Sequence, residues 1–292
     1  MSRIELLSPA KLNIFLEVIG KRSDGYHELE TVMLRTDLSD LMVFEQTSGT
    51  QIELRLSDET PPELRSGFPL DSSNLILRAA ENLQRRSQVQ MGARISVTKV
   101  IPPESGLAGG SSNAATTLRG LCRLWNLQPP EDELHEIAAT LGSDINFLLS
   151  GAKAAICRGR GEIVVPVEVA QEFWFVAVRP KTGNSTPTVF RETNIPSVPE
   201  SSSGIVRRLT GETDEPLEKF CFNRLTDAAC IINGEMSRLM NSMQKCSLKP
   251  AFMSGSGSTC FLVADDQHDA DRLRSLVECS TGLRCWVLQT ST

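Results

Sequence analysis

The sequence predicts a two-domain α+β protein. Between Ala10 and Leu56, apolar and polar residues alternate in short runs, which is typical of half-buried strands that pair antiparallel. From Phe173 onward, strand and helix patterns follow in the order β-α-β-β-α-β, the split βαβ or ferredoxin-like motif. We place the change of pattern near residues 155–172 and predict domains at 1–160 and 161–292.

The composition indicates a soluble globular protein, with 40% hydrophobic and 23% charged residues. The net charge of −6 gives no reason to expect a nucleic-acid partner, and no apolar run is long enough to predict a membrane span. The eight cysteines are scattered without a C-x-x-C pair, so we expect buried thiols in a reducing compartment and no zinc site. No leader precedes the first strand pattern, and we expect a cytoplasmic location.

The first half contains predicted strands and helices in alternation. The strands are Ala10–Val18, Leu29–Arg35, Leu41–Phe44, Gln51–Leu56, Arg94–Val100 and a hairpin over Lys153–Val167. The helices are Leu75–Arg86 after an Asn74 cap, Ser112–Trp125, and one that begins at Glu131 and ends before Gly142.

The second half contains the split βαβ elements. The strands are Phe173–Val178, Ala251–Ser254, Cys260–Ala264 and Arg284–Gln289. A Ser/Pro-rich connection at Pro196–Gly204 precedes a mostly helical stretch over Thr213–Met243, and Asp269–Glu278 is an amphipathic helix.

The segment Ile101–Ala115 connects a strand to a helix and is rich in glycine and serine. Gly106, Gly109 and Gly110 let backbone N–H groups approach a ligand, and the helix N-terminus that follows attracts anions. Ser111 and Ser112 are N-cap candidates. The segment matches neither the P-loop nor G-x-G-x-x-G, so it is either a phosphate-binding loop of another kind or an ordinary strand-to-helix turn.

Four further features have two readings each. Lys11 and Asn13 share one strand face, which is either solvated or functional. The Tyr26-His27 pair either stacks on a flat ring or forms the base of a hairpin turn. Asp144 either caps a short helix or accepts a proton in a partly dry site. The loop Ser254–Ser258 is either a flexible turn or a second ligand-facing loop.

Three of these stretches together resemble the signatures of the GHMP kinase superfamily. They are Pro9–Asn13, Pro102–Ala115 and Met253–Ser258. Within the superfamily, Asp24–His27, Gly142–Asp144 and the Arg179-Pro…Thr186-Pro-Thr188 segment are similar to kinases of a diphosphocytidyl sugar alcohol in non-mevalonate isoprenoid biosynthesis.

The resemblance implies a ribosomal-protein-S5-domain-2-like N-terminal domain, a ferredoxin-like C-terminal domain, and ATP and substrate in the cleft between them. It implies transfer of a phosphoryl group from ATP, with Mg²⁺, to the 2-hydroxyl group of that alcohol. Lys11 and Asp144 would be catalytic. The implied substrate contacts are Asn13, Tyr26, His27, Thr188 and Phe190. The implied ATP contacts are Pro102, Pro103, Glu104, Ser105, Gly106, Leu107, Ala108, Gly109, Gly110, Ser111 and Ser112, and Ser112 is also the candidate metal contact.

Three residues of the glycine-rich loop depart from the family pattern, which usually has glycine at Ala108 and commonly at Glu104 and Ser105. Ala108 is acceptable if its φ is negative and unfavourable if its φ is positive. A carboxylate at Glu104 would repel phosphates unless it points away or helps to bind Mg²⁺. The alternatives are another GHMP kinase, of homoserine or mevalonate type, and a non-catalytic nucleotide sensor. The Tyr26-His27 pair disfavours the first, because those substrates carry no base.

Overall fold

The computed structural model describes residues Ser2–Thr290. Its strands are β1 (Arg3–Lys21), β2 (His27–Thr47), β3 (Ile52–Leu56), β4 (Gly92–Thr98), β5 (Ala154–Gly159), β6 (Ile163–Val167), β7 (Trp174–Val178), β8 (Phe222–Asn223), β9 (Phe252–Met253), β10 (Cys260–Ala264) and β11 (Cys285–Gln289). Its helices are α1 (Pro62–Arg65), α2 (Leu75–Ser87), α3 (Gly109–Leu124), α4 (Glu131–Leu141), α5 (Ile145–Ser150), α6 (Thr186–Glu192), α7 (Ser203–Leu209), α8 (Thr226–Ile232), α9 (Gly234–Ser247) and α10 (Gln267–Thr281), with a 3₁₀ turn at Leu217–Lys219.

The chain forms two compact units, each built from separate stretches. The first unit contains the chain up to Ala10, then Leu38–Pro103 and Ala108–Gly151. The second contains Lys11–Asp37, Glu104–Leu107 and the chain from Ala152 onward. The long strands β1 and β2 therefore contribute residues to both units.

In the first unit, helices α2 to α5 pack on one another beside a small sheet. Strand β4 pairs antiparallel with the Leu41–Thr47 end of β2 and parallel with β3. Helix α3 lies directly on Phe44, because a Cβ at Gly120 would be 2.5 Å from the Phe44 ring. The side chain of Asn74 accepts the Ile76 N–H, which confirms the predicted cap of α2.

In the second unit, strand β2 continues the first sheet through a different partner. Its Leu29–Leu34 part pairs antiparallel with β5, and β5 forms a hairpin with β6. Strand β8 pairs parallel with β1 through Phe15 and Leu16. The predicted hairpin over Lys153–Val167 is therefore confirmed.

The second unit also contains a four-stranded sheet in the order β11-β7-β10-β9, with every pair antiparallel. Helix α10 packs against β7, β10 and β11, and α9 packs against β10 and α10. This is the strand order of the split βαβ motif, so the predicted ferredoxin-like architecture is confirmed. Leu16, Val18 and Leu29 from β1 and β2 belong to the same buried core as these strands.

Several elements differ from the predictions. Strand β2 is one continuous strand where we predicted two, and α6 and α7 were not predicted. The stretch Thr213–Met243 contains a 3₁₀ turn and the short strand β8 besides its two helices. Across Ser2–Thr290, no helix is long and apolar enough to cross a bilayer. The domain boundary at residue 160 stays a prediction.

Candidate active site

Lys11 and Asn13 lie on strand β1 and are each only 2% exposed, so the solvated-face reading is wrong. The Lys11 ammonium group donates to the Asn13 side-chain oxygen and, at 3.0 Å, to the backbone oxygen of Gly106. The Asn13 amide group donates to Thr31 Oγ1 at 2.8 Å. A buried ammonium group needs such partners, because an uncompensated charge in the interior is costly.

The loop Ser254–Ser258 packs against the same pair of residues. Ser254 Oγ accepts the Asn13 backbone N–H at 3.1 Å and donates to the Gly106 carbonyl oxygen at 2.9 Å. Gly106 has a φ of 78°, and a Cβ there would lie 2.3 Å from the Ser254 carbonyl oxygen. Only glycine fits at this position. The second unit thus brings Lys11, Asn13, Gly106 and Ser254 together.

The neighbouring residues of the loop are fixed by backbone hydrogen bonds within the second unit. The Lys11 N–H donates to the Leu107 carbonyl oxygen at 3.1 Å, and the Thr259 N–H donates to the Ser105 carbonyl oxygen at 3.0 Å. Ser105 is buried, and its hydroxyl oxygen accepts the Leu107 N–H. These bonds tie the glycine-rich loop to the first and third motifs.

The two ends of the loop, residues 102–103 and 108–112, lie in the first unit, and the second of them begins helix α3. The N-cap residue is Ala108, without a side-chain cap, so the expectation that Ser111 or Ser112 caps this helix is wrong. Ser112 is fully buried, and its hydroxyl oxygen accepts from Ser8 Oγ at 2.8 Å. Pro102 and Gly109 are buried, whereas Pro103 and Gly110 are exposed.

Two of the three departures from the family pattern have positive φ angles, 50° at Glu104 and 58° at Ala108, whereas Ser105 does not. A side chain is strained in this left-handed region. The Glu104 carboxylate faces Gly183, with Oε2 3.3 Å from where a Gly183 Cβ would stand. Burial lowers the pKa of Arg179, and the negative charge of Glu104 opposes that shift. The charge of Glu104 is therefore partly balanced by Arg179.

Asp144 stands at the N-cap position of helix α5 in the first unit and is partly buried. Its side chain makes no capping hydrogen bond to that helix, so the simple capping role is not observed. Asn146, two residues later, is buried, and its side-chain oxygen lies 3.1 Å from His135 Nδ1. The corner is thus a packed setting rather than an open loop.

The predicted base-binding residues lie in the second unit. The rings of His27 and Phe190 stack, with centroids 5.2 Å apart and an interplanar angle of 27°. Burial, with a smaller effect from the positive charge of Lys21, lowers the pKa of His27. Tyr26 is 55% exposed, and the Arg160 guanidinium group lies 4.9 Å from its ring centroid. Thr188, on α6 with Phe190, donates to Ser185 Oγ at 3.1 Å.

Sequence reasoning missed several polar residues around these loops. Thr31 and Ser254 hold Asn13, and Asp40, Lys99 and Ser8 form a buried network behind the start of α3. The role of Ser254 could have been predicted, because it lies in the loop Ser254–Ser258, which the sequence had already indicated as a candidate ligand-facing loop. The role of Asp40 could not, since one acidic residue between Ser39 and Leu41 resembles an exposed strand end.

Comparison with known proteins identifies the family. The model of the GHMP kinases N terminal domain matches residues 74–157, and that of the GHMP kinases C terminal domain matches residues 203–281. Proteins named 4-diphosphocytidyl-2-C-methyl-D-erythritol kinase are similar over 93% of this chain. The one from Bacillus velezensis is 35% identical, with 91% of its length covered, and the one from Bacillus subtilis strain 168 is 34% identical, again with 91% covered.

Solved structures identify the same family. A crystal structure of 4-(cytidine 5'-diphospho)-2C-methyl-D-erythritol kinase superposes with a TM-score of 0.79 at 30% identity, covering 99% of this chain and 100% of that one. Homoserine kinase from Cytophaga hutchinsonii superposes with a TM-score of 0.73 at 14% identity, covering 100% and 95%, which shows a shared fold. The predicted resemblance is therefore confirmed: the chain belongs to the GHMP kinase family, among its 4-diphosphocytidyl-2-C-methyl-D-erythritol kinases.

Proposed function

We propose that this protein transfers the γ-phosphoryl group of ATP to the 2-hydroxyl group of 4-diphosphocytidyl-2-C-methyl-D-erythritol, in the biosynthesis of isoprenoid precursors by the non-mevalonate route. Two relatives that are named for this kinase are similar to this chain over 91% of their own length. The observation that carries the proposal to the substrate is the stacked pair of His27 and Phe190. Such a pair suits a substrate with a flat base, which mevalonate and homoserine lack.

The environment of His27 suits recognition of a cytosine edge. Because burial lowers its pKa, His27 is neutral at pH 7 and presents one N–H donor and one nitrogen acceptor. Cytosine likewise presents both a donor and acceptors on its Watson–Crick edge. Tyr26 would stack on the base with the ring face that Arg160 does not occupy. Thr188 would contact the substrate from helix α6.

The glycine-rich loop from Pro102 to Ser112 would hold the phosphates of ATP with its backbone N–H groups and the N-terminus of α3. The positive charge of Arg179 offsets part of the negative charge of Glu104, which reduces the repulsion between that carboxylate and the phosphates. Mg²⁺ would arrive with the ATP phosphates, because this ion keeps several waters and few protein ligands. Ser112 is fully buried against Ser8, which favours a structural role over a metal contact.

In the reaction, Asp144 would accept or orient the proton of the acceptor hydroxyl group. Lys11 would offset the negative charge that develops on the transferred group. Asn13 would donate to the substrate from the same strand face, and its amide group is held by Thr31. We also propose a cytoplasmic location, since all eight cysteines are free thiols, as expected in a reducing compartment.

The test measures ADP formation by the purified protein with ATP, Mg²⁺ and one of three alcohols: the diphosphocytidyl alcohol, mevalonate or homoserine. We expect turnover with the first only, and Asp144→Ala should lower kcat by about 10³-fold or more with nearly unchanged ATP affinity. His27→Ala should raise KM for the diphosphocytidyl alcohol and leave KM for ATP unchanged. His268→Ala, an exposed histidine on α10, is the matched control.

Each other result has a definite meaning. Turnover of mevalonate or homoserine would replace the proposed substrate. ATP binding without ADP formation from any alcohol would support a nucleotide sensor. Near-normal turnover by Asp144→Ala would remove Asp144 from the mechanism.

A further inference from the structure

A buried polar network lies behind the glycine-rich loop in the first unit, and none of the roles described above uses its central residues Asp40, Lys99 and Asn113. Asp40 on β2 is fully buried, Lys99 at the end of β4 is 5% exposed, and Asn113 on α3 is 1% exposed. The Lys99 ammonium group forms an ion pair with Asp40 Oδ2 and donates to Asn113 Oδ1 at 3.0 Å. The Asn113 amide nitrogen donates to Asp40 Oδ2 at 2.9 Å.

The chemistry of the ion pair fixes the direction of the bonds. Lys99 can only donate and Asp40 can only accept, so the Asn113 amide group has a single orientation. Its nitrogen also donates to Ser8 Oγ at 2.9 Å, and Ser8 donates onward to Ser112 Oγ at 2.8 Å. We call these five residues, Asp40, Lys99, Asn113, Ser8 and Ser112, the Asp40 network. It ends in the first turn of α3.

The Asp40 network holds the strand end of the loop through the second carboxylate oxygen. Asp40 Oδ1 accepts the backbone N–H groups of Val100 at 2.6 Å and Ile101 at 2.9 Å. These two peptide groups directly precede Pro102, the first residue of the loop. Asp40 therefore divides its oxygens, one for the start of the loop and one for Lys99 and α3.

The helix end of the loop packs on the same residues. A Cβ at Gly109 would lie 2.9 Å from Ile101 Cγ2 and 3.2 Å from Lys99 Nζ. The backbone of Gly109 thus rests against the residues that Asp40 holds. Ala108, next to Gly109, keeps its left-handed conformation between these contacts, and such strain persists only where the surroundings over-determine it.

A buried ion pair is an inefficient means of stabilising a fold, because the cost of desolvating two charges offsets most of their attraction. Here the hydrogen bonds of Asp40 and Lys99 connect to both ends of the loop: Val100 and Ile101 at the strand end, and Asn113 at the helix end. We propose that Asp40, Lys99 and Asn113 are positioning residues for nucleotide binding, which fix both ends of the glycine-rich loop in the arrangement that the ATP phosphates require. This inference rests on the proposed ATP-binding role of the loop.

The experiment compares variants by the Kd for ADP with Mg²⁺, measured by calorimetry without any acceptor alcohol. Asp40→Ala combined with Lys99→Met removes both charges and leaves the Val100 and Ile101 N–H groups without their acceptor. We expect a Kd that is about 10- to 100-fold higher, because the loop loses the two hydrogen bonds that fix its start and its phosphate-binding N–H groups are then less well positioned. In the kinase assay, KM for ATP should rise while KM for the acceptor is unchanged.

A conservative variant separates positioning from folding. Asp40→Asn combined with Lys99→Met keeps a carbonyl oxygen that accepts the two N–H groups, so it should recover most of the ADP affinity. Asn113→Ala leaves the ion pair intact and should also raise the Kd for ADP. If the double variants do not fold, this single variant tests the positioning role. The control is Glu17→Gln combined with Arg224→Met, which removes an ion pair in the second unit whose Glu17 side chain is fully buried and whose Arg224 side chain is 28% exposed. This variant should have a lower Tm and an unchanged Kd.

Wild-type ADP affinity in folded Asn113→Ala, or in Asp40→Ala with Lys99→Met, would overturn the inference. Equal loss in the alanine and asparagine double variants would also overturn it, since the Asp40 acceptor oxygen would then have no role. The proposed function fails in a different way. Wild-type protein that binds ADP but forms none from ATP and the alcohol would contradict that function and leave this comparison of affinities valid.

Discussion

Ala108 occupies the left-handed region at the start of α3, with φ 58° and ψ 32°. This conformation costs an alanine about 1–2 kcal/mol, whereas glycine adopts it freely. Glycine also increases the entropy of the unfolded chain, which opposes the gain by about 0.4–1 kcal/mol. We therefore expect Ala108→Gly to raise the free energy of unfolding by about 0.5 kcal/mol, measured by urea denaturation.

Ala115→Gly is the matched control, because Ala115 lies inside the same helix and is buried. Glycine there should lower the free energy of unfolding by about 1 kcal/mol. If Ala108→Gly were destabilising to the same degree, Ala108 would not have the left-handed conformation.

Single residues of the candidate site were predictable where the local pattern was unusual. A lysine and an asparagine on one face of an apolar strand drew attention to Lys11 and Asn13, and the structure buries both. What could not be predicted is which groups surround them. Thr31 and Ser254 are 18 and 241 residues from Asn13 in the chain, and hydrogen bonds at such separations leave no local pattern.

At the scale of elements, two carboxylates hold the Ser/Pro-rich connection before α7. Glu17 on β1 is fully buried and accepts the Glu200 N–H at 2.9 Å and a two-bond contact from Arg224. Glu30 on β2 accepts from the Ser202 hydroxyl group at 2.6 Å. The connection is thus anchored at Glu200 and Ser202.

This anchoring predicts a pH dependence. Burial alone would raise the pKa of Glu17, but the hydrogen bonds from Arg224, Glu200 and Val18 outweigh it and keep the pKa below its ordinary value. A lowered pKa means that the carboxylate stabilises the fold above about pH 4.3, the ordinary value. That contribution is lost as the pH falls through the folded-state pKa.

Glu17→Gln should therefore lower the free energy of unfolding by about 2 kcal/mol at pH 7, and the difference from wild type should shrink as the pH falls below about 4. Urea denaturation at pH 7 and at about pH 3 measures this. Glu28→Gln removes a partner of the exposed ion pair with Arg22 and should have little effect at either pH. A Glu17→Gln difference that stayed constant with pH would contradict the linkage.

The elements that sequence reasoning missed have two physical causes. Strand β2 was divided because Asp37, Ser39 and Asp40 resemble a turn, yet Asp40 is satisfied by distant backbone groups and the strand continues. Helices α6 and α7 have seven residues each, too few to show a helical period. Long amphipathic helices such as α2 and α10 were found within a few residues of their ends.

At the scale of the whole molecule, the order of strands and helices was enough to predict the four-stranded antiparallel sheet. Each of its strands is a short apolar run, and the two crossovers are helical. Which stretches of the chain make up each unit was not predictable from that order. The second unit takes Lys11–Asp37 from the start of the chain, because Leu16, Val18 and Leu29 complete its core.

This composition predicts how fragments behave. A fragment 161–292 follows the predicted domain boundary but lacks Leu16, Val18 and Leu29, and it also lacks the β1 strand with which β8 pairs. Loss of buried apolar partners costs about 1.5–3 kcal/mol for each large side chain, so three of them approach the whole stability of a typical domain. We expect this fragment to show no cooperative thermal transition by circular dichroism.

The matched fragment joins residues 11–37 through a flexible linker to residues 152–292, which restores those partners and the pairing of β2 with β5. It should melt cooperatively, because it contains nearly the complete second unit. A cooperative transition of fragment 161–292 near the Tm of the full chain would instead show that this stretch is an independent folding domain. The core residues of β1 and β2 would then be dispensable for its stability.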